Sequence, residues 1–473
     1  MKFKGSAYIN TIGCQMNVYD SEKLGLILNS NGYRQTSDME KADIVVCNTC
    51  SIRHKAEEKA FSFLGRFARI KKKNPHMIIV MAGCVAQQEG KKAFKRVPHL
   101  DIVLGTQAFS RFAKHIDAVK AGRNRIVDIE DSEKLYEIIP ALLETNIDES
   151  DVAGSTISEH GTLNFKENKI SRFVTIMQGC ENFCTYCVVP YVRGKERSRR
   201  PESIIKEISL LADSGVKEIN LLGQNVNSYG QQEGHSFAQL LVQISKIERI
   251  QRIRFATSHP KDLSMDLIHA IRDLDKVCNQ LHLPVQSGSD KILGKMNRGY
   301  SRQTYIKRIL DLKKQCPDIG ISTDIIVGFP SETRDDFNET MDLLREIKFD
   351  SIFAFAYSDR SSAPASKFSN QVDEKEKLDR LNKLLELQEH YTKEKNLGLI
   401  GKTLEILVEG KSAKKHNGFE TNRKNMEQMT GRSACNKIVH FPSESAKVGD
   451  LIEIQIKNAY PHSLWGYPAG ALN

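Results

Sequence analysis

Short apolar runs alternate with stretches of helical spacing over the first 120 residues. Ala7–Ile12, Asp43–Cys47, Met77–Met81 and Ile102–Leu104 read as strands. Between them, Tyr19–Ser30, Arg53–Lys73 and Gln87–Arg96 read as helices. Strand–helix alternation predicts an α/β domain with a doubly wound parallel sheet, assigned here to residues 1–121. The stretch Glu144-Thr-Asn-Ile-Asp-Glu-Ser-Asp-Val-Ala-Gly-Ser-Thr is polar and aperiodic, and residues 122–168 are read as a linker.

The alternation returns over 169–398. Phe173–Met177, Glu218–Leu222, Ile253–Thr257, Gln280–Val285, Ile321–Val327 and Ser351–Tyr357 read as strands, with helices such as Pro201–Ser214 and Glu332–Lys348 between them. Such units predict a partial (β/α)6 barrel, whose chemistry belongs on the loops after the strands. A charged helix, Asp373–Lys395, closes this region. Residues 400–466 read as a small all-β barrel. Thr403–Val408, Lys437–Phe441 and Leu451–Ile456 are strand-like, and Asn417-Gly418 is a hairpin signal.

Composition changes this picture little. Apolar residues make up 40% and charged residues 27% of 473, ordinary for a globular chain. No apolar run is long enough to cross a membrane as a helix. The opening MKFKGSAYINTIGC lacks the apolar core of a signal peptide, so a cytoplasmic, reducing compartment is expected. The net charge of +10 permits a polyanionic partner without requiring one.

The cysteines change it more. Ten stand at 14, 47, 50, 84, 180, 184, 187, 278, 316 and 435. In a reducing compartment they point to metal or catalysis rather than to disulfides. Cys14, Cys50 and Cys84 each fall just after a predicted strand, on the rim where such folds bind ligands. Cys47 falls within its strand and is read as packing. Cys180-x3-Cys184-x2-Cys187 follows the first strand of the predicted barrel. Three thiolates on a four-iron cluster leave one iron open to a small molecule. A zinc site is the alternative, but zinc favours a fourth protein ligand, and the nearest downstream histidine is His235. Cys278, Cys316 and Cys435 are read as buried thiols.

The run Val174-Thr-Ile-Met-Gln-Gly-Cys-Glu-Asn-Phe-Cys-Thr-Tyr-Cys-Val-Val-Pro-Tyr-Val-Arg-Gly resembles the cluster loop of the radical S-adenosylmethionine (SAM) methylthiotransferases. Cys14-Gln-Met-Asn-Val-Tyr-Asp-Ser and Cys47-Asn-Thr-Cys-Ser-Ile-Arg-His-Lys-Ala-Glu-Glu-Lys resemble the branch of that family acting on isopentenylated adenosine in tRNA. The resemblance implies three domains: an N-terminal methylthiotransferase domain, a radical SAM core and a C-terminal TRAM barrel. It implies two 4Fe-4S clusters and SAM, the first cluster held by Cys180, Cys184 and Cys187 and an auxiliary one by Cys14, Cys50 and Cys84. The implied reaction is methylthiolation of C2 of N6-dimethylallyladenosine at position 37 of tRNA, with SAM as both methyl donor and radical source. No protein side chain is assigned as catalytic, because the cofactors carry the chemistry.

The resemblance leaves the SAM contacts more open. Gly223-Gln224 stands where many radical SAM proteins have Gly-Gly-Glu, and Gly223, Gln224, Ser258 and Gln286 are the SAM-contact candidates. His259, before Pro260, is read as a turn cap. For RNA, the basic run contributes Arg193, Lys195, Arg197, Arg199 and Arg200, and the terminal domain Arg423, Lys424 and Arg432, with Phe419 a stacking surface or core residue. The expected partners are a tRNA anticodon stem-loop, an electron donor of flavodoxin or ferredoxin type and a sulfur donor, with the chain itself a monomer and no membrane partner. Other targets in the same class are a threonylcarbamoyl-adenosine in tRNA or an aspartate of a ribosomal protein. A non-catalytic alternative is an RNA-binding iron or zinc protein.

Overall fold

A computed structural model describes residues 3–51, 54–131, 156–157, 163–164, 170–360, 362–412 and 427–470. Its N-terminal region is a six-stranded, wholly parallel sheet in the order β2-β1-β3-β4-β5-β6. The strands are β1 (Gly5–Ile12), β2 (Tyr33–Gln35), β3 (Ile44–Thr49), β4 (Ile78–Gly83), β5 (Ile102–Leu104) and β6 (Ile126–Asp128). Every residue of β3 and β4 is buried, because helices cover both faces of a parallel sheet. Side chains alternate between two cores. Ile44, Val46, Ile78 and Val80 pack on one face; Val45, Cys47, Ile79 and Met81 pack on the other. Cys47 is therefore a core residue.

The sheet extends past the expected boundary at 121. β6 pairs with β5, and its Asp128 accepts bonds from Arg111 Nε and His115 Nε2, each at 2.6 Å. A three-residue strand ending in an acid has too little pattern to stand out in sequence. Most of the expected linker, including 144–155, lies outside the described residues. Between residues 131 and 168 the described part is a two-residue pair, β7 (Thr156–Ile157) with β8 (Leu163–Asn164).

Two compact units emerge from the packing. One comprises Met1–Phe183, Cys187–Ser236 and Lys246–Arg249; the other comprises Cys184–Tyr186, Phe237–Ser245 and Ile250–Asn473. In the first, β9 (Ser171–Thr175) pairs in parallel with β12 (Glu218–Leu222), and β10 (Met177–Gln178) pairs antiparallel with β11 (Arg197–Ser198). The expected strand Phe173–Met177 is thus two short ones. In the second, β13 (Arg252–Phe255) is followed by the parallel set β14 (Gln280–His282), β15 (Gly320–Val327) and β16 (Ser351–Ala356). The helix Arg334–Ile347 starts at a reciprocal cap between Thr333 and Asp336, and Asp373 caps the helix Glu374–Leu397.

The C-terminal strands close a barrel in the order β17-β18-β19-β21-β20, from β17 (Thr403–Lys411), β18 (Glu427–Ser433), β19 (Ile438–Ser443), β20 (Leu451–Ala459) and β21 (Leu464–Pro468). Ile406, Val408, Val439, Phe441, Ile454 and Ile456 fill it. The expected Asn417-Gly418 turn lies outside the described residues. Two arginines of β13 seat this barrel. Arg252 donates to the carbonyls of Arg432 and Glu405, and Arg254 to those of Ser433 and Ala434. A third tie is Asp350, which meets Lys395 Nζ at 2.6 Å and Lys437 Nζ at 3.3 Å.

Burial alone would raise the Asp350 carboxyl, but Lys395 and Lys437 hold it below the usual carboxylate range. A depressed carboxyl contributes stability above its unfolded pKa of about 3.9 and loses it as pH falls through the lower, folded value. Asp350→Asn is therefore expected to destabilise by about 1.5–3 kcal/mol at pH 7. In urea melts, its deficit against the parent should shrink steadily below about pH 4.

Candidate functional site

The carboxyl ends of β1, β3 and β4 form one level rim. Ile12 pairs with Thr49, and Thr49 with Gly83, so three neighbouring strands end in register. Cys50 follows Thr49, Cys84 follows Gly83 and Cys14 stands two residues beyond Ile12. Adjacent strands lie about 4.8 Å apart, so the topology gathers three thiols distant in sequence. Gly83 is required there. Its φ is +91°, and a Cβ would stand 2.3 Å from Asn48 Oδ1.

Hydrogen bonds fix the rim from below. The Cys14 thiol donates to Asn17 Oδ1 at 3.3 Å, Asn17 Nδ2 donates to Asn48 Oδ1 at 3.1 Å, and Asn48 Nδ2 returns to the Asn17 carbonyl at 2.8 Å. Both asparagines are fully buried. The Cys50 thiol bonds the Cys14 sulfur and pulls its pKa down to about 6, against burial and with help from the Arg193 charge. Burial pushes Cys84 up, with Arg193 opposing. Burial alone lifts Cys47 to about 12. The Cys14 pKa is thus held low by its partners and that of Cys47 high by its core.

Arg193 corrects one expectation. It is not a solvated phosphate contact: it is buried, and its Nη2 meets Asp20 Oδ2 at 2.6 Å. Arg199 is buried as well, with Nη2 at 2.7 Å from Glu207 Oε2 and Nη1 donating to the Thr175 carbonyl. Tyr19 donates to Glu207 Oε1 at 3.0 Å. Two basic residues in a charged run thus belong to buried ion pairs, because acids on the helices Gln15–Ser30 and Pro201–Asp213 face them. Lys195 and Arg200 are exposed and Arg197 is half-buried.

The Cys180–Cys187 loop is pinched at its neck by the β10–β11 pair, where Gln178 faces Arg197. Gly179 enters it at φ +85°, and a Cβ there would lie 1.9 Å from the Lys195 carbonyl. Gln224 Oε1 accepts the Gly179 N–H at 2.6 Å. A SAM-contact candidate thus clamps the loop itself, and Gly223 is needed because a Cβ would meet Met177 Cγ at 2.4 Å. Each sulfur of the loop has an N–H aimed at it. Asn182 Nδ2 lies 3.4 Å from Cys180, Arg298 Nη1 lies 3.4 Å from Cys184, and Val189 N lies 3.5 Å from Cys187. Such donors suit anionic cluster thiolates. Among the described residues, no three Cys, His, Asp or Glu side chains converge as the ligands of a single ion would. A four-iron cube instead takes one thiolate per iron.

Past β13, Thr257 has φ +65° and Ser258 is buried with its Oγ lacking a partner among the described residues. Past β14, Gln286 has φ +73° and is buried. Left-handed backbone at non-glycine positions costs energy and gathers at binding sites. His259 caps the turn after it by accepting the Lys261 N–H. Burial first, then the Arg298 charge, push its pKa down to about 2, so it stays neutral. Arg432 is bonded to Glu409 and Asn436 on the terminal barrel. Phe419, Arg423 and Lys424 lie outside the described residues. Asn17, Asp20, Asn48 and Arg298 were not singled out by sequence reasoning. The first three fall inside the two quoted N-terminal motifs, which was the available signal.

Residues 6–105 match the model of an uncharacterized protein family, UPF0004, and residues 174–344 match the radical SAM superfamily. The chain is 48% identical to the tRNA-2-methylthio-N(6)-dimethylallyladenosine synthase of Desulfosudis oleivorans, covering 98% of this chain and 96% of the relative. It is 45% identical to the enzyme of that name from Syntrophus aciditrophicus, covering 98% and 94%. Among solved structures, the radical SAM methyltransferase TsrM of Kitasatospora setae shares the fold, with a TM-score of 0.56 at 11% identity over 76% of this chain and 75% of that one.

Arg193→Met would leave the buried Asp20 without its guanidinium partner. A loss of about 3–5 kcal/mol in unfolding free energy is expected, with much of it regained on adding Asp20→Asn. If the double variant is no more stable than Arg193→Met alone, the pair does not hold this region as described.

Proposed function

The chain belongs to the tRNA-2-methylthio-N(6)-dimethylallyladenosine synthase family, and from that premise we propose that it places a methylthio group on C2 of N6-dimethylallyladenosine beside the tRNA anticodon. Near-full-length similarity to enzymes of that name carries the reading, and the two cysteine sets support it. The radical SAM superfamily brings SAM and a 4Fe-4S cluster. Cys180, Cys184 and Cys187 would hold that cluster, and Cys14, Cys50 and Cys84 a second one. Bound there, these groups would supply a 5′-deoxyadenosyl radical to take hydrogen from C2 and a methylated sulfur to replace it.

The chain's own residues place and protect. Gln224 and the β10–β11 pair hold the neck of the first cysteine loop. Asn17 and Asn48 hold the rim, and Arg193 sets positive charge beside Cys14 and Cys84, favouring thiolates. Ser258 and Gln286 remain candidates for SAM contact. Lys195, Arg197, Arg200, Arg432, Arg423 and Lys424 are assigned to tRNA phosphates, which position the stem-loop while a splayed base is presented for reaction. A one-electron donor of flavodoxin or ferredoxin type and a sulfur donor complete the requirements. Among the described residues no helix is long and apolar enough to cross a membrane.

The direct test is a nucleoside digest of tRNA from a strain lacking this gene. Loss of the methylthio group from isopentenylated adenosine, restored by the wild-type gene, is expected. Unchanged methylthio-isopentenyl-adenosine would overturn the reading. Anaerobically reconstituted protein should hold about eight irons, and each triple Cys→Ala variant about four. Replacing Cys14, Cys50 and Cys84 should spare SAM cleavage yet abolish methylthio product, whereas replacing Cys180, Cys184 and Cys187 should abolish both.

A further inference from the structure

Arg298 stands just past the helix Asp290–Lys295 and is buried, with 4% of its surface exposed. Its guanidinium is spent on neutral acceptors and one sulfur. Nε donates to the Tyr300 hydroxyl at 2.9 Å and Nη2 to the Pro284 carbonyl at 2.6 Å. Nη1 faces the Tyr186 hydroxyl at 3.3 Å and Cys184 Sγ at 3.4 Å. Among the described residues no carboxylate pairs with it. Buried arginines are ordinarily met by an acid, because isolating the charge costs several kcal/mol. Here the neighbour suited to carry the countercharge is the Cys184 sulfur.

The segment carrying that sulfur is pinned independently of the guanidinium. Thr185 N donates to the Met296 carbonyl at 3.1 Å, Thr185 Oγ1 to the Lys295 carbonyl at 2.8 Å, and Ala365 N to the Thr185 carbonyl at 2.8 Å. Charge and sulfur are therefore held in place by backbone on both sides.

We propose that Arg298 is a positioning and charge-tuning residue for the cluster ligated through Cys184, compensating the thiolate charge and raising the reduction potential of that cluster. The inference rests on Cys184 being a cluster ligand. Reduction adds one electron to the cube and no proton, so the reduced form carries one more negative charge. A fixed cation and an N–H···S bond stabilise that form over the oxidised one. Cation and donor are thus placed to ease delivery of the electron that SAM cleavage consumes.

The test uses full-length protein with Cys14, Cys50 and Cys84 replaced by Ala, so that one cluster remains. Reductive titration with a low-potential chemical reductant, followed by paramagnetic resonance, reads its midpoint. Arg298→Met and Arg298→Gln remove the charge. Each is expected to lower the reduced-to-oxidised ratio at a fixed potential at least tenfold, about 59 mV for one electron. A variant that keeps its cluster with an unchanged midpoint overturns the proposal. Both variants folding by circular dichroism yet losing the cluster also overturns it, leaving Arg298 a clamp. A readout without substitution at Arg298 covers the case in which neither folds. With [15N]arginine labelling, electron–nuclear double resonance on the reduced cluster should show a weak nitrogen coupling. No coupling overturns the proposal. If the background protein itself binds no iron, the cluster assignment fails instead, which is a different result.

Discussion

A guanidinium taken out of water has to be met, and the first packing unit is organised around three such meetings. Arg172 faces Glu22, Arg193 faces Asp20 and Arg199 faces Glu207. Two of the acids lie on the helix Gln15–Ser30, whose start follows directly on Cys14. That helix buries Leu24, Ile27 and Leu28 against the sheet and Asn17, Asp20, Ser21 and Glu22 as well. Its two acids are buried because the segment from Arg172 to Glu207 supplies their partners, while Asn17 and Ser21 are met by Asn48. Breaking one such pair leaves a charge stranded, so the segment cannot shift without large cost. The thiol rim and the chain that follows Cys187 are thereby fixed to one another.

Within that frame, environment decides what each sulfur can do. Cys47 and Cys50 stand three residues apart on one strand and its exit. The first points into an apolar core and is kept protonated; the second reaches the rim and bonds Cys14. On the Cys180–Cys187 loop the sulfurs are instead met by an amide, a guanidinium and a backbone N–H. These are different ways of favouring negative sulfur.

Much of this was legible in the chain. Fully buried parallel strands leave apolar runs, which is why β3 and β4 and the thiols after them could be placed. The cysteine spacing and its surrounding text carried the family. Partners were less legible, because a basic residue looks alike in sequence whether it faces solvent or an acid 173 positions away, as Arg193 does. Gln224 illustrates the same limit, since its acceptor role depends on Gly179 approaching from another strand. β6 escaped notice because three residues carry almost no periodicity, and Arg298 because its partner sulfur is 114 residues distant.

The seating of the terminal barrel has an evolutionary corollary. Arg252 and Arg254 grip it chiefly by peptide carbonyls, which every amino acid possesses. Exchanging side chains over much of that module leaves the grip intact. Its outer surface is free to drift and to be retuned toward new ligands, while the module stays fastened to the strand that carries it.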